Sequence, residues 1–484
     1  MRVLVAASEA APLAKIGGLG DVAGALPTAL RDLGCEVSLV IPAYRTALQK
    51  SGASDVAASG IPVRLGKQEL SADILETRGK SGIPIYLVRR DEFFDRSEIY
   101  GTAAGEYFDN RERFIFFSRS IPPLCRTLDY VPDIILGNDW QTGLVMALLD
   151  QGDLPGTAGV FTIHNLGYQG LVPAEQVPLI GLPDEYYTMD GLEYYGQMSL
   201  LKAGIAFAHA VTTVSPTYAK EIQTAEFGAG LDGLLRTIKS RLFGILNGIN
   251  EQEWDPEKDV HLKTRYSPED FSGKEVCKKA LLKEMNLPMR LMTRPVLGMV
   301  SRLVSQKGCD LLLAAVERLF SMDVGFVLLG SGEAKYESAF AALRDRHGSH
   351  FGFADGFDEP LAHRIYAGSD IILVPSLYEP CGLTQMYALK YGSIPVVRAT
   401  GGLNDTVQDP NERRFPGTGF KFRKYDETSF LKTVSRAITV YKDREYWQAM
   451  MREGMGCDFS WRTSAGKYVA TFEKALKNMR AKKK

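Results

Sequence analysis

Val3-Leu4-Val5-Ala6-Ala7 leads through a turn to Lys15-Ile16-Gly17-Gly18-Leu19-Gly20-Asp21. A helical pattern then runs from about Gly20 to Leu33, before a second apolar run at Glu36 to Ile41. A short β-branched strand, a glycine loop, a helix and another strand make one βα unit, and the rhythm continues at Ile83 to Val88, Ile134 to Leu136, Gly159 to Ile163 and Val211 to Val214. Apolar runs separated by amphipathic helices predict parallel strands covered on both faces. The rhythm restarts at Val296 to Val300 and goes on through Val324 to Leu329, Phe351 to Phe353, Ile371 to Val374 and Ile394 to Val397. Two series predict two doubly wound α/β domains, residues 1–246 and 247–459. A helix over 460–484 is expected to pack back on the first, with Trp461 and Tyr468 supplying apolar contacts. Between the series, Glu251 to Met289 is charged and lacks strand character. Two such sheets are expected to turn the carboxyl ends of their strands toward one cleft, where open α/β folds bind ligands.

The 484 residues carry 57 Lys+Arg and 58 Asp+Glu, a formal net charge of −1. With a pI near 6.6, the chain has no electrostatic footprint for nucleic acid or an anionic membrane. Its six cysteines show no C-x-x-C spacing, which fits thiols in a reducing compartment. The N-terminus reads as a buried strand instead of a signal or transit peptide, and no apolar run approaches a membrane span. A cytoplasmic location is the expectation. Oligomeric state is not legible.

Glycines admit close approach of a phosphate, and amides at a helix start attract anions. Lys15 at the head of the first loop suits an anionic ligand. Gly18-Leu19-Gly20-Asp21-Val22-Ala23 satisfies a loose dinucleotide fingerprint, but the strand ends near Ser8, ten residues too early, and no carboxylate ends the second strand. In the second series, Arg302 and Lys307 sit on the loop after the opening strand, where two cations can clamp a diphosphate and stabilise it as it departs. Glu379 precedes Cys381-Gly382-Leu383-Thr384, a helix start whose amides suit phosphate while the carboxylate suits sugar hydroxyls or local positive charge. Asp139 and His164 end strands and are candidates for sugar recognition. No metal site is expected, since six histidines offer no H-E-x-x-H or H-x-x-E-H spacing; His209 and His363 read as structural. No G-x-S-x-G elbow marks a hydrolase.

Lys15-Ile16-Gly17-Gly18-Leu19, Asp139-Trp140-Gln141, Thr162-Ile163-His164-Asn165, Asn247-Gly248-Ile249, Ser301-Arg302-Leu303 through Lys307-Gly308, Glu379-Pro380-Cys381-Gly382-Leu383-Thr384-Gln385 and Asp458-Phe459-Ser460-Trp461 stand in one order along the chain. That constellation resembles the bacterial glycogen synthase and starch synthase family. The resemblance implies two Rossmann-like domains facing a deep interdomain cleft, the GT-B architecture. It also implies retaining transfer of glucose from ADP-glucose to the 4-hydroxyl of an α-1,4-glucan such as glycogen, with no cofactor and no metal.

By the same resemblance, Lys15, Gly17, Gly18 and Asp21 would meet the donor, and Arg302 and Lys307 would hold its diphosphate. His164 and Asn247 would line the glucosyl site, with Tyr100 and Asp139 toward glucose or acceptor. Glu379 would bind glucose hydroxyls beside Cys381, the amides of Gly382, Leu383 and Thr384 would cap phosphate, and Phe357 would stack on the base. Closure of the two domains would exclude water. Three positions depart from the family pattern: Ile16 replaces a frequent Thr, Gly20 a common Ala and Asn138 a His; Tyr387 stands where many related transferases have a second glutamate, which agrees with the glycogen synthase branch. No single residue distinguishes adenine from uracil. Another sugar donor, and a non-catalytic glucan binder on the same fold, are the competing readings.

Overall fold

A computed structural model describes residues 1–52, 55–79, 81–102, 105–412 and 416–482. The chain divides into two compact units, Met1–Gly248 with Trp461–Lys484, and Ile249–Ser460.

The first unit is built on a nine-stranded sheet. Its strands are β1 (Arg2–Ala6), β2 (Glu36–Pro42), β3 (Asp55–Leu65), β4 (Gln68–Arg78), β5 (Pro84–Arg89), β6 (Ile134–Asn138), β7 (Ala158–Ile163), β8 (Ala210–Thr213) and β9 (Leu242–Gly244). They lie in the order β9-β8-β7-β6-β1-β2-β5-β4-β3. Pairing is parallel from β9 to β5 and antiparallel among β5, β4 and β3. Residues of β6 and β7 are all buried, as expected of central parallel strands.

The β3–β4 hairpin was not expected, and the parallel-only reading of this sheet is corrected by it. These two strands mix polar residues with Gly60 and Pro62 and pair with register shifts near Ala58. Proline in a strand is confined to an edge such as β3, and the polar residues of both strands erase the apolar signal.

Helix α1 (Gly18–Asp32) follows the glycine loop and α2 (Trp140–Gln151) follows β6. Amphipathic α1 buries Leu19, Val22, Leu26 and Leu30. The C-terminal helix, Trp461–Lys482, packs on α1 and β7. Its Tyr468 is fully buried, and the Ser464 hydroxyl donates to the Leu246 carbonyl at 2.6 Å. His209 is structural: its Nδ1 accepts from the Gly159 amide at 3.0 Å, and its carbonyl accepts from Asn478 on that helix at 2.9 Å.

In the second unit, β10 (Val296–Val300), β11 (Gly325–Gly330), β12 (Phe351–Asp355), β13 (Ile371–Val374), β14 (Ile394–Arg398) and β15 (Phe420–Phe422) form a six-stranded sheet in the order β12-β11-β10-β13-β14-β15. Every pairing is parallel. Apolar residues of its strands and helices, among them Phe326, Phe340, Phe351 and Phe430, close one core face of this unit. No described helix is long and apolar enough to cross a membrane.

Each sheet has a topological switch point, where successive strands begin to be added on the other side of the first. It lies between β1 and β6 in the first unit and between β10 and β13 in the second. Open α/β sheets bind ligands outside the carboxyl ends of the strands that flank such a point.

Candidate active site

At the first switch point the carboxyl end of β1 delivers Ser8 and Glu9, and that of β6 delivers Asn138 and Asp139. Glu9 is nine-tenths or more buried. Its Oε2 accepts the backbone N–H groups of Ile16 and Gly17, so this carboxylate holds the glycine loop in place. Nothing in the sequence signalled it, because a lone Glu between Ser8 and Ala10 belongs to no motif. Lys15 Nζ pairs with Asp21 Oδ1 at 2.7 Å. A Cβ on Gly20 would stand 3.0 Å from Lys15 Cγ, so position 20 is not indifferent: an Ala there would press on the lysine stem. A Cβ on Gly18 would meet nothing within 4 Å. Packing within the chain therefore gives no reason for that glycine.

Asp139 has φ 54° and ψ −178°, a region other than Gly avoids at a cost of about 1–3 kcal/mol. The strain aims its carboxylate at the next strand end, where Oδ1 accepts the His164 N–H at 2.7 Å. Asn138 donates its amide to the carbonyls of Ala6 at 3.0 Å and Leu136 at 3.3 Å. Its Oδ1 must then be the acceptor in the 2.9 Å contact with His164 Nε2, which fixes the proton on Nε2 and leaves Nδ1 as the lone-pair nitrogen. Burial holds the His164 imidazole neutral, its pKa lowered to about 3. The Tyr100 hydroxyl lies 2.7 Å from Ser8 Oγ. Asn247 is buried, and its Oδ1 has no hydrogen-bond partner among the described residues.

Burial raises the Glu9 carboxyl from 4.5 to about 7, against the amides of Ile16 and Gly17. It raises Asp139 from 3.8 to about 7, against the amides of His164 and Asn165. A carboxyl with a raised folded-state pKa takes up a proton on folding in the window between the two values. The stability it contributes is therefore lost as pH rises from 4.5 for Glu9, or 3.8 for Asp139, to about 7. His164, lowered from 6.5 to about 3, acts in the opposite direction. Comparison of wild type with Glu9→Gln isolates Glu9. Denaturant unfolding at pH 5 and pH 8 is expected to show the variant gaining stability relative to wild type at pH 8; an equal difference at both pH values would contradict the assignment.

At the second switch point, three loops meet. The segment after β10 carries Arg302 and Lys307. Gly308, with φ 80°, then turns the chain into the helix Cys309–Phe320, and a Cβ there would lie 2.3 Å from the Pro375 carbonyl. That close approach joins the loop to the one after β13: the Leu377 N–H donates to the Gln306 carbonyl at 2.8 Å. Lys307 Nζ consequently meets Glu379 Oε2 at 2.6 Å, and the Ser376 hydroxyl donates to the same oxygen at 2.9 Å. Glu379 is buried. Arg302 is exposed, and its side chain has no partner among the described residues.

Behind Glu379, Cys381 is buried, and Gly382, Leu383 and Thr384 lead into the helix Thr384–Lys390. Buried Gln385 donates to the carbonyls of Cys381 at 3.1 Å and Gly382 at 2.9 Å, a positioning role the motif alone did not reveal. Gly401, with φ 44°, packs so closely that a Cβ would fall 1.9 Å from the Glu379 carbonyl oxygen. Phe357, on the loop after β12, is 85% exposed. Lys15, Gly17, Gly18, Asp21, Tyr100, Asp139, His164 and Asn247 thus belong to the first unit, and Arg302, Lys307, Phe357, Glu379 and Cys381 to Thr384 to the second.

Residues 2–237 match the starch synthase catalytic domain family and residues 289–453 the glycosyl transferases group 1 family. A protein of Desulfatibacillum aliphaticivorans described as glycogen synthase is 48% identical over 482 residues, covering 99% of this chain and 100% of that one. The chain belongs to the glycogen synthase family. Another member, from Syntrophotalea carbinolica, is 46% identical over 487 residues, 98% of this chain and 99% of its own. Among solved structures, the catalytic domain of starch synthase IV from Arabidopsis thaliana, bound to ADP and acarbose, superposes with a TM-score of 0.89. It is 35% identical and covers 98% of this chain and 99% of that one. As a member of this family the chain is a glycosyltransferase with two α/β domains.

Proposed function

We propose that the chain is a glycogen synthase that transfers glucose from ADP-glucose, with retention, to the non-reducing 4-hydroxyl of an α-1,4-glucan and releases ADP. The observation that carries this reading is the Lys307–Glu379 pair at the second switch point with Arg302 on the same loop. Two cations there suit a diphosphate that accumulates charge as it leaves. The ADP in the Arabidopsis starch synthase structure and the names of the full-length relatives support the donor and the acceptor. In the first unit, the lone-pair Nδ1 of neutral His164 and the orphaned Asn247 Oδ1 are acceptors suited to glucose hydroxyls.

Retention by attack from the leaving-group face fits these groups best. The acceptor oxygen bonds to C1 as the C1–O bond to phosphate breaks, and the acceptor proton passes to a phosphate oxygen. Glu379 is a poor nucleophile for the covalent alternative, because one oxygen is already engaged by Lys307 and Ser376. Tyr387 stands where a second glutamate would be. The reaction needs cations and positioning in place of a metal or cofactor.

Gly18 gives a test that separates binding from folding. Alanine at this helix start has no clash and a better helix propensity, so Gly18→Ala is expected to keep the wild-type unfolding midpoint. Donor approach to the loop backbone would be blocked, lowering kcat/KM by about 10-fold or more, equivalent to ~1.4 kcal/mol. Unchanged kinetics would remove the loop from the donor site. The reading as a whole is tested by nucleotide release: ADP should appear from ADP-glucose only when glucan is present. Faster release from UDP-glucose would overturn the donor assignment.

A further inference from the structure

The second unit holds a buried cluster that the reaction leaves unused. His363 is fully buried on the helix Glu359–Gly368. Its ring stacks on Trp254 with centroids 3.8 Å apart and planes at 10°, and Trp254 also stacks on Tyr387 at 3.9 Å. His363 Nδ1 lies 2.7 Å from Asp259 Oδ2. The Tyr391 hydroxyl donates to that same carboxylate oxygen, and the His261 N–H donates to Oδ1 at 2.8 Å. A carboxylate surrounded by donors accepts from Nδ1 as well, so Nδ1 carries a proton, and in the neutral ring Nε2 holds the lone pair. That Nε2 is buried and has no hydrogen-bond partner among the described residues. A buried acceptor left without a partner is costly unless something binds it.

Two carboxylates stand beside it. Ligand-capable atoms of Glu253, Glu359 and His363 all lie within 4.8 Å of one another. Glu359 and His363 are four residues apart on one helix face, and Glu253 immediately precedes the Trp254 that stacks on the imidazole. We propose that Glu253, Glu359 and His363 Nε2 bind a divalent transition-metal ion of the zinc class. One imidazole and two carboxylates suit zinc, cobalt or manganese better than calcium or magnesium. Asp259 behind Nδ1–H holds the ring so that Nε2 faces the ion, as a carboxylate behind a ligating histidine does. Glu253 is exposed and Glu359 half-buried, leaving a solvent side for entry and for water ligands. The ion ties the turn bearing Glu253 to the first turn of the Glu359–Gly368 helix, a structural role apart from the sugar chemistry. Sequence spacing misses it because the third ligand lies a hundred residues away from the helix.

The test uses the full chain, stripped with EDTA, exchanged into metal-free buffer and titrated with Zn²⁺ by calorimetry, with thermal unfolding as a second readout. One site per chain and a higher unfolding midpoint with Zn²⁺ are expected. Glu253→Gln and Glu359→Gln, at an exposed and a half-buried position, should fold with the metal-free midpoint of wild type, bind Zn²⁺ at least about 10-fold more weakly and lose the midpoint increase. Absence of saturable binding in wild type overturns the proposal. So does wild-type affinity in both variants, which would place the zinc at thiols or other groups elsewhere.

Discussion

Lys307→Ala is expected to lower kcat/KM for the nucleotide-sugar donor by about 10²-fold or more, at least ~2.7 kcal/mol of lost transition-state stabilisation. Lys307 is the cation that the Gly308 turn and the Gln306–Leu377 contact bring against Glu379. Its removal takes a positive charge from the departing diphosphate and also leaves buried Glu379 with only the Ser376 hydroxyl. The second effect is one of stability, since an uncompensated buried charge is costly, and it can be separated from the first. The double variant Lys307→Ala/Glu379→Gln should recover most of the lost unfolding midpoint and none of the activity. Arg302→Ala is the cleaner companion. An exposed side chain of this kind alters stability by less than about 0.5 kcal/mol, yet turnover should fall by a similar factor to that of Lys307→Ala. Wild-type turnover in both single variants would reduce the pair to a structural ion pair and remove the diphosphate clamp.

Gly401→Ala is expected to cost as much activity without touching a charged group. A non-glycine residue at φ 44° is strained by about 1–2 kcal/mol, and its Cβ would overlap the Glu379 carbonyl at 1.9 Å. The turn bearing Glu379 must therefore shift. A displacement near 1 Å at a positioned group costs about 10²-fold in rate, and the overlap adds about 1–3 kcal/mol of destabilisation. Steady-state kinetics and thermal unfolding on the same preparation read both effects. A folded variant with wild-type kcat would show that the exact placement of Glu379 is unimportant to the reaction.

The loops at both switch points were legible in the sequence because short apolar strands there end in Gly, Ser, Lys and Arg. Lys307 and Glu379 are 72 residues apart, and a local pattern marks each as a candidate without revealing that they are partners. Glu9 was illegible for a different physical reason: its role exists only once the chain returns eight residues later and offers two amides to its carboxylate. Asp139 was read as a strand-end carboxylate, but the positive φ that aims it at His164 has no sequence signature in a residue other than glycine. Asn138 reads as the loss of a histidine; in the structure its fixed amide instead determines the tautomer of His164. The β3–β4 hairpin escaped because an edge strand can be polar and carry proline. The sequence reads His363 as structural, in agreement with its stacking on Trp254, while its Nε2, unpartnered among the described residues, is visible only with the cluster assembled.

The most direct test of the central claim is transfer of radiolabelled glucose from ADP-glucose, and separately from UDP-glucose, onto glycogen, followed by digestion with an enzyme specific for α-1,4 linkages. Label incorporated from ADP-glucose and released by that digestion is the predicted result, and it would establish donor, acceptor, linkage and retained anomeric configuration together. No incorporation from either donor by a folded preparation would contradict the account, leaving a different sugar donor or a non-catalytic glucan binder.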